Sequence, residues 1–118
     1  MSIEDTFVED RIFTEIRPGY EVLHRTFIDA LNQAMWGKGF ERHSMGGLQG
    51  FEDQPAMEVT RRVGLGFPLG QAMKKIIESQ RKGLTPIKAR AEMYGALVYL
   101  ATAIMYLEET EGADLNAK

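Results

Sequence analysis

The chain has 118 residues, of which 44% are apolar and 26% are charged, and its formal net charge is −3. This size and composition are typical of one globular domain and exclude a wholly disordered chain. The absence of cysteine excludes disulfides, thiolate nucleophiles and cysteine-ligated metals, and two histidines are too few for a histidine-rich metal site.

The first half of the chain predicts an arm, one helix and a long loop. Residues 1–17 favour either a short helix or an N-terminal arm, and a Pro-Gly pair follows them. Apolar residues recur at helical spacing over 20–36, which predicts an amphipathic helix ended by Gly37. The segment 37–54 is rich in glycine and has no clear period, so we expect a long loop there.

The second half predicts three more helices. A proline at the first position indicates one helix over 55–63, and a second proline opens another over about 68–82. Thr85 followed by proline combines a hydroxyl cap with a favoured first residue, so the last helix is predicted from 86 to 109 or 111. Gly112 is expected to end it, which makes 112–118 a frayed tail.

These elements predict an all-α fold, a single domain over 1–118 with four to five helices. The last helix is apolar on every side between 93 and 107, where its sequence is MYGALVYLATAIMYL. A helix of this kind must be buried all round, so it is either the central helix of the domain or an interface between copies. Because monomers seldom expose large apolar patches, we expect a homo-oligomer that associates through the helix 86–109.

The expected location is the cytoplasm. The apolar stretch 93–107 is shorter than the roughly 20 residues that cross a bilayer. The N-terminal sequence MSIEDTFVEDR is acidic and lacks the apolar segment of a signal peptide. We therefore expect no membrane partner.

Positive charge is concentrated in the middle of the chain. Residues 37–90 carry ten basic and five acidic side chains, whereas 91–118 carry one basic and five acidic. A local basic excess attracts phosphates even in an acidic protein, although it equally describes a solvated mixed surface. A duplex nucleic acid partner is not expected, because strong binders of duplexes carry a net positive charge.

The segment GKGFERH, residues 37–43, is the main candidate for binding phosphate. Glycine amides form anion-binding nests, and lysine and arginine add positive charge. The block lacks the spacing of a Walker loop, and a solvated loop that merely ends a helix is the alternative interpretation. Trp36 and Phe40 flank the GKG triplet, either to stack on a base or to close the core. The candidate ligand-binding residues here are Trp36, Lys38, Gly39, Phe40, Arg42 and His43.

Further basic residues lie on the helices that follow. If the fold brings them towards the loop, they add to a phosphate clamp; otherwise they are ordinary solvated positions. The acidic and amide cluster over 52–54 is expected to cap the next helix, with a base or ribose contact as the alternative. The added candidates are Arg61, Lys74, Lys75 and Arg81.

The carboxylates give little support for an enzyme. Glu92 lies alone at the start of the apolar stretch and needs a basic partner, either Lys88 or an arginine from another helix. The helical nucleotide pyrophosphohydrolases of the MazG type hold magnesium with ExxE and ExxD pairs, and Glu92 is followed by Met-Tyr-Gly instead. We therefore predict no catalytic residues, no metal site and no cofactor, and keep a MazG-like hydrolase as an alternative.

Four blocks over roughly 20–110 resemble small helical proteins of bacteriophages: GKGFERH, FEDQP, GFPLGQAMKK and AEMYGALVYLATAIMYLEE. Several such oligomeric phage proteins counter host defence by sequestering cyclic nucleotides or ADP-ribose derivatives. The resemblance implies an oligomeric nucleotide-binding sponge that acts in the host cytoplasm without turnover. The other alternative is an inhibitor or adaptor that binds a host protein.

Overall fold

The computed structural model describes residues 15–37 and 49–117, with side chains as far as Glu111. Within these ranges the chain forms four α-helices and no strand. They are α1 (Glu21–Trp36), α2 (Pro55–Val63), α3 (Gly66–Ser79) and α4 (Pro86–Ala117), and a short 3-10 turn, Phe51–Asp53, precedes α2. The predicted all-α fold is confirmed.

Most predicted helix ends agree with the structure. α1 ends before Gly37, and α2 starts at Pro55 and stops before Gly64, which adopts a φ of +90°. The Thr85 hydroxyl accepts a hydrogen bond from the Lys88 N–H at 3.3 Å, so the predicted cap of α4 is confirmed. This bond satisfies one of the amides that the first turn of a helix leaves unpaired.

Three boundaries differ from the predictions. α3 begins at Gly66 and ends at Ser79, whereas the sequence predicted 68–82. Pro68 therefore lies inside the first helical turn, where its missing N–H breaks no hydrogen bond. α4 continues to Ala117, so the predicted end at Gly112 is wrong. A glycine inside a helix costs only about 1 kcal/mol and does not by itself end it.

Part of the predicted loop 37–54 is also helical, because residues 51–53 form the 3-10 turn. Residues 15–17 at the end of the predicted arm are irregular. The rest of the arm and the segment 38–48 lie outside the described residues.

α4 is the central helix of the fold. It packs against α1, α2 and α3, and its contact with α3 is the most extensive. α2 also contacts α3 and the 3-10 turn. One of the two predicted roles of the last helix, the central position, is thus confirmed.

The core between these helices consists of small side chains. Among the described residues, its buried apolar side chains are those of Met57, Pro68 and four alanines. Thr60 and Thr102 are completely buried, and their hydroxyls donate to carbonyls one turn earlier, at 2.7 and 2.9 Å. Such residues let helix backbones approach closely, but they remove little apolar surface from water.

Large apolar side chains lie mainly on the surface. Among the described residues, no leucine, isoleucine, valine, phenylalanine, tyrosine or tryptophan is buried. The apolar face that predicted α1 therefore remains largely open to solvent. Along the described ranges, no helix combines the length and hydropathy that a membrane crossing requires. The exposed apolar residues on α1 and α4 include Val22, Leu23, Phe27, Ile28, Leu31, Trp36, Met93, Leu100, Ile104 and Leu107.

Candidate functional site

An open groove of about 620 Å³ runs between α1 and α4. The segment 49–54, which includes the 3-10 turn, closes one end of it. Concave, mainly apolar sites of this size are the usual places where proteins bind other molecules. The groove is therefore the candidate functional site of the described part of the chain.

The α1 wall of the groove presents one apolar ridge. Phe27, Leu31 and Met35 follow one another at four-residue spacing, so they project from the same side of the helix. All three are partly open to solvent. The Gln33 side-chain amide donates to the Ala91 carbonyl at 2.9 Å, which fixes α1 on α4.

The α4 wall presents a second ridge. Leu97, Leu100 and Ile104 line the groove, and Ala101 between them keeps the space open. Leu100 and Ile104 are about half exposed even though they lie in the middle of the central helix. This side of α4 is therefore not covered by α1, α2 or α3.

The closed end of the groove is held by polar contacts. The buried Gln54 side chain donates to the Gln49 carbonyl at 3.3 Å. From α2, Arg61 donates through Nη1 to the Glu52 carbonyl at 2.8 Å. Because Glu52 and Gln54 line the groove, these bonds position its end wall.

Arg61 also binds α4. Its Nη2 lies 2.8 Å from one carboxylate oxygen of Glu109, and its Nε lies 3.1 Å from the other. This hydrogen-bonded pairing lowers the pKa of Glu109 and raises that of Arg61, because both charged forms are stabilised. Arg61 thus joins α2, the 3-10 turn and α4 in one contact.

The lining of the groove is almost entirely hydrocarbon. Among the described residues that line it, glutamine and glutamate occur only at the closed end, in the segment 49–54, and none is basic. Such a surface suits the apolar side of a helix better than it suits a phosphate. The groove is thus chemically unlike the phosphate clamp that the sequence suggested.

The predicted phosphate loop falls largely outside the structure. Lys38, Gly39, Phe40, Arg42 and His43 lie outside the described residues. Trp36 is described: it ends α1 directly before the loop, and it is 74% exposed. An exposed indole next to a glycine-rich basic segment remains compatible with stacking on a base.

The basic residues on the later helices engage carboxylates. Arg61 binds Glu109 on α4, and Lys75 lies 3.7 Å from Glu92 on α4. Because 17 residues separate these two positions of α4, Arg61 and Lys75 contact it about 25 Å apart. Within one chain the structure does not bring these two cations together.

The other two predicted cations are Lys74, on α3, and Arg81, just after it. Arg81 follows the end of this helix and pairs with Glu78, three residues earlier, at 4.0 Å. Lys74 is exposed. A shared phosphate site that involves Lys74 or Arg81 remains a prediction.

Glu92 meets the basic partner that its position required, although the partner is Lys75 and not Lys88. One of its carboxylate oxygens is buried and accepts no hydrogen bond. Among the residues that the structure describes, no group of three acidic or histidine side chains is placed to hold a metal ion. The geometry gives Glu92 a role in joining α3 to α4.

The groove was not predicted from the sequence. Helical spacing marked the apolar residues of α1, and the last helix was expected to be either central or an interface between copies, but neither expectation included an open groove between these two helices. The signal was present as alanines at 30, 34 and 101, which are too small to fill the space between larger neighbours. No protein family, curated protein or solved structure shows a significant match to the chain.

Proposed function

We propose that this protein is a homo-oligomeric binding protein that acts without turnover, and that a second copy covers the open face of α1 and α4. One observation carries the proposal: in the described part of the chain, every large aliphatic or aromatic side chain other than Met57 keeps some contact with solvent. A domain of this length normally buries many such residues in its own core.

The exposed surface is large enough to drive association. Eight large apolar side chains on α1 and α4 are between 39% and 54% exposed. Covering the open half of each contributes about 1 kcal/mol, because full burial of such a side chain contributes about 1.5–3 kcal/mol. Two copies then gain roughly 16 kcal/mol, which offsets an association cost of about 4–15 kcal/mol. These side chains are Leu23, Phe27, Ile28, Leu31, Met93, Leu100, Ile104 and Leu107.

A nucleotide ligand is the second candidate function, in keeping with the resemblance to phage sponges. The observation that favours it is the position of Trp36, whose exposed ring directly precedes the GKG block. The described residues that line the groove include no basic side chain, so we assign a phosphate to the loop and not to this apolar lining. A protein other than a second copy would instead use the groove.

Light scattering after gel filtration tests the oligomer. We expect the wild-type chain to elute as an oligomer and Ile104→Asp to elute as a monomer, because the new carboxylate lies in the covered face. Ile77→Asp is the matched control: it places the same charge on α3, at a position that is 70% exposed. A monomeric wild type at micromolar concentration would contradict the proposal.

The ligand is tested on the same protein. Native mass spectrometry of the freshly purified chain, followed by denaturation, reports any retained nucleotide. Release of an intact nucleotide supports the binding function. Cleaved nucleotide after incubation with magnesium would instead support the MazG-like alternative.

A further inference from the structure

The open face of α4 carries an apolar stripe with the period of a coiled coil. Met93, Leu97, Leu100, Ile104 and Leu107 follow at spacings of four, three, four and three residues. A repeat of 3.5 residues keeps an apolar seam facing a partner helix along its whole length. Four of these side chains are 43–52% exposed in the folded chain.

The two ends of this seam carry opposite charges. Continuing the same spacing, Arg90 precedes Met93 at one end, and Glu111 follows Leu107 at the other. Glu108 lies beside Leu107, and all three charged side chains are exposed. None of these three is in the ion pairs that the described residues form with one another.

We infer that the seam is covered by α4 of a second copy, running antiparallel, so that Arg90 of each copy lies against Glu108 and Glu111 of the other. This inference rests on the proposed homo-oligomer and specifies its interface. In a parallel pair, Arg90 of one copy would instead lie beside Arg90 of the other, and Glu111 of one copy beside Glu111 of the other. Such like-charge contacts oppose association, whereas the antiparallel pair has complementary charges at both ends. Opposed helix dipoles favour the same orientation.

The charges also select a register. Placing Arg90 beside Leu107 and Glu108 of the second copy brings Met93 opposite Ile104 and Leu97 opposite Leu100. Because the two copies are equivalent, each of these two pairs occurs twice, which gives four apolar layers along the seam. The α1 ridge with Phe27 and Leu31 lies across the groove from the seam, where it flanks the second α4.

Single cysteines test this arrangement directly, because the natural chain contains none. Met93→Cys and Ile104→Cys are prepared separately, and each variant is oxidised alone. The two variants are also mixed, denatured and refolded together, and the mixture is then oxidised. In the antiparallel pair, identical positions are about 16 Å apart along the helix axis. We therefore expect no disulfide-linked dimer from either variant alone and a linked heterodimer from the mixture. Ile77→Cys on α3 is the control for random collisions.

The outcomes separate the orientation from the existence of the oligomer. Linked dimers from each variant alone would overturn the antiparallel pair in favour of a parallel one. An oligomer by light scattering with no linked dimer would overturn the α4 seam while leaving the proposed homo-oligomer intact. A monomeric wild type would overturn both.

The charge contacts have their own test. Arg90→Glu weakens self-association on the order of tenfold, because it places like charges at both ends of the seam. Adding Glu108→Arg and Glu111→Arg to the same chain reverses every contact and restores the wild-type dissociation constant. Failure of the triple variant to regain affinity, with its helical content unchanged, would exclude the proposed register.

Discussion

Arg61 on α2 binds both carboxylate oxygens of Glu109 on α4, although the two residues are 48 positions apart in the chain. The same guanidinium holds the Glu52 carbonyl at the closed end of the groove. The contact therefore links the wall of the candidate site to the central helix. It also makes the stability of that wall depend on the charge of one glutamate.

We expect this contact to weaken in acid. The pKa of Glu109 in the fold lies below its ordinary value of 4.5, because Arg61 favours the ionised carboxylate. Its contribution to stability is therefore fully present above pH 4.5 and disappears as the pH falls through the lowered pKa. Because the pair is at the surface, the effect is small, a few degrees in melting temperature at most.

Thermal melts of the wild type and Glu109→Gln against pH measure this contribution. The two melting temperatures should differ at pH 7 and converge at low pH. Arg62→Gln is the control, since Arg62 forms an exposed pair with Glu58 within α2. A difference between wild type and Glu109→Gln that stays constant with pH would show that the lost carboxylate charge is not the cause.

Replacing Arg61 has a wider effect than replacing Glu109. Arg61→Gln removes the bond to the Glu52 carbonyl as well as the ion pair, so the end wall of the groove loses its anchor. We expect faster hydrogen exchange at residues 51–54 in Arg61→Gln, whereas Glu109→Gln leaves it near the wild-type rate. Equal exchange in the two variants would show that the carbonyl contact does not hold the wall.

Local signals in the sequence located most helix ends. Pro55, Gly37 and the Thr85–Pro86 pair act through backbone geometry and caps that their neighbours alone determine. The predicted end of α4 at Gly112 was wrong for a different reason. A glycine ends a helix only where the chain adopts a special backbone conformation, and that depends on more than its neighbours in sequence. Sequence shows which residue tolerates that conformation but not whether the fold requires it.

The Thr85 cap should contribute measurably to stability. Thr85→Ala removes the acceptor for the Lys88 N–H, and loss of such a cap typically costs about 1 kcal/mol. Urea unfolding at one fixed protein concentration measures the change, because oligomer stability depends on concentration. Thr85→Ser keeps the hydroxyl and should remain close to the wild type. If serine and alanine cost the same, the hydroxyl does not act as a cap.

Two glycines should respond in opposite ways to alanine. Gly64 ends α2 with φ +90° and ψ −169°, a conformation that is essentially restricted to glycine, so Gly64→Ala costs about 1–3 kcal/mol. Gly95 lies inside α4, where alanine is favoured by up to about 1 kcal/mol. Its new Cβ would lie 3.3 Å from the Lys75 side chain, which is flexible enough to move aside.

Urea unfolding of both variants distinguishes these effects. We expect Gly64→Ala to be destabilised and Gly95→Ala to be slightly stabilised. Gly50→Ala serves as a control, because its φ is negative and a Cβ there meets no atom within 4 Å. A clear loss of stability in Gly95→Ala would mean that the Lys75–Glu92 contact cannot tolerate displacement.

The candidate site was less predictable than the fold. Helical spacing correctly marked the apolar residues of α1, but it could not show that α4 would contact only one edge of that face. The pairing of Arg61 with Glu109, and of Lys75 with Glu92, depends on how separate helices meet. Sequence spacing carries no information on such contacts. From the sequence alone, a basic side chain that pairs with a carboxylate therefore cannot be told from one that binds phosphate.

Trp36 provides the sharpest test of the nucleotide candidate, because it is the single tryptophan of the chain. The residue is 74% exposed at the end of α1, so we expect its fluorescence to respond to a ligand that approaches it from solvent. A base that stacks on the ring should quench this emission, and an adenine dinucleotide is a suitable probe. Lys38→Ala with Arg42→Ala should then reduce affinity, since both lie in the adjacent basic block. Inorganic phosphate and an uncharged nucleoside serve as controls for charge and stacking. Unchanged emission at millimolar concentrations of several nucleotides would contradict base stacking at Trp36 and leave the apolar groove as the principal binding surface.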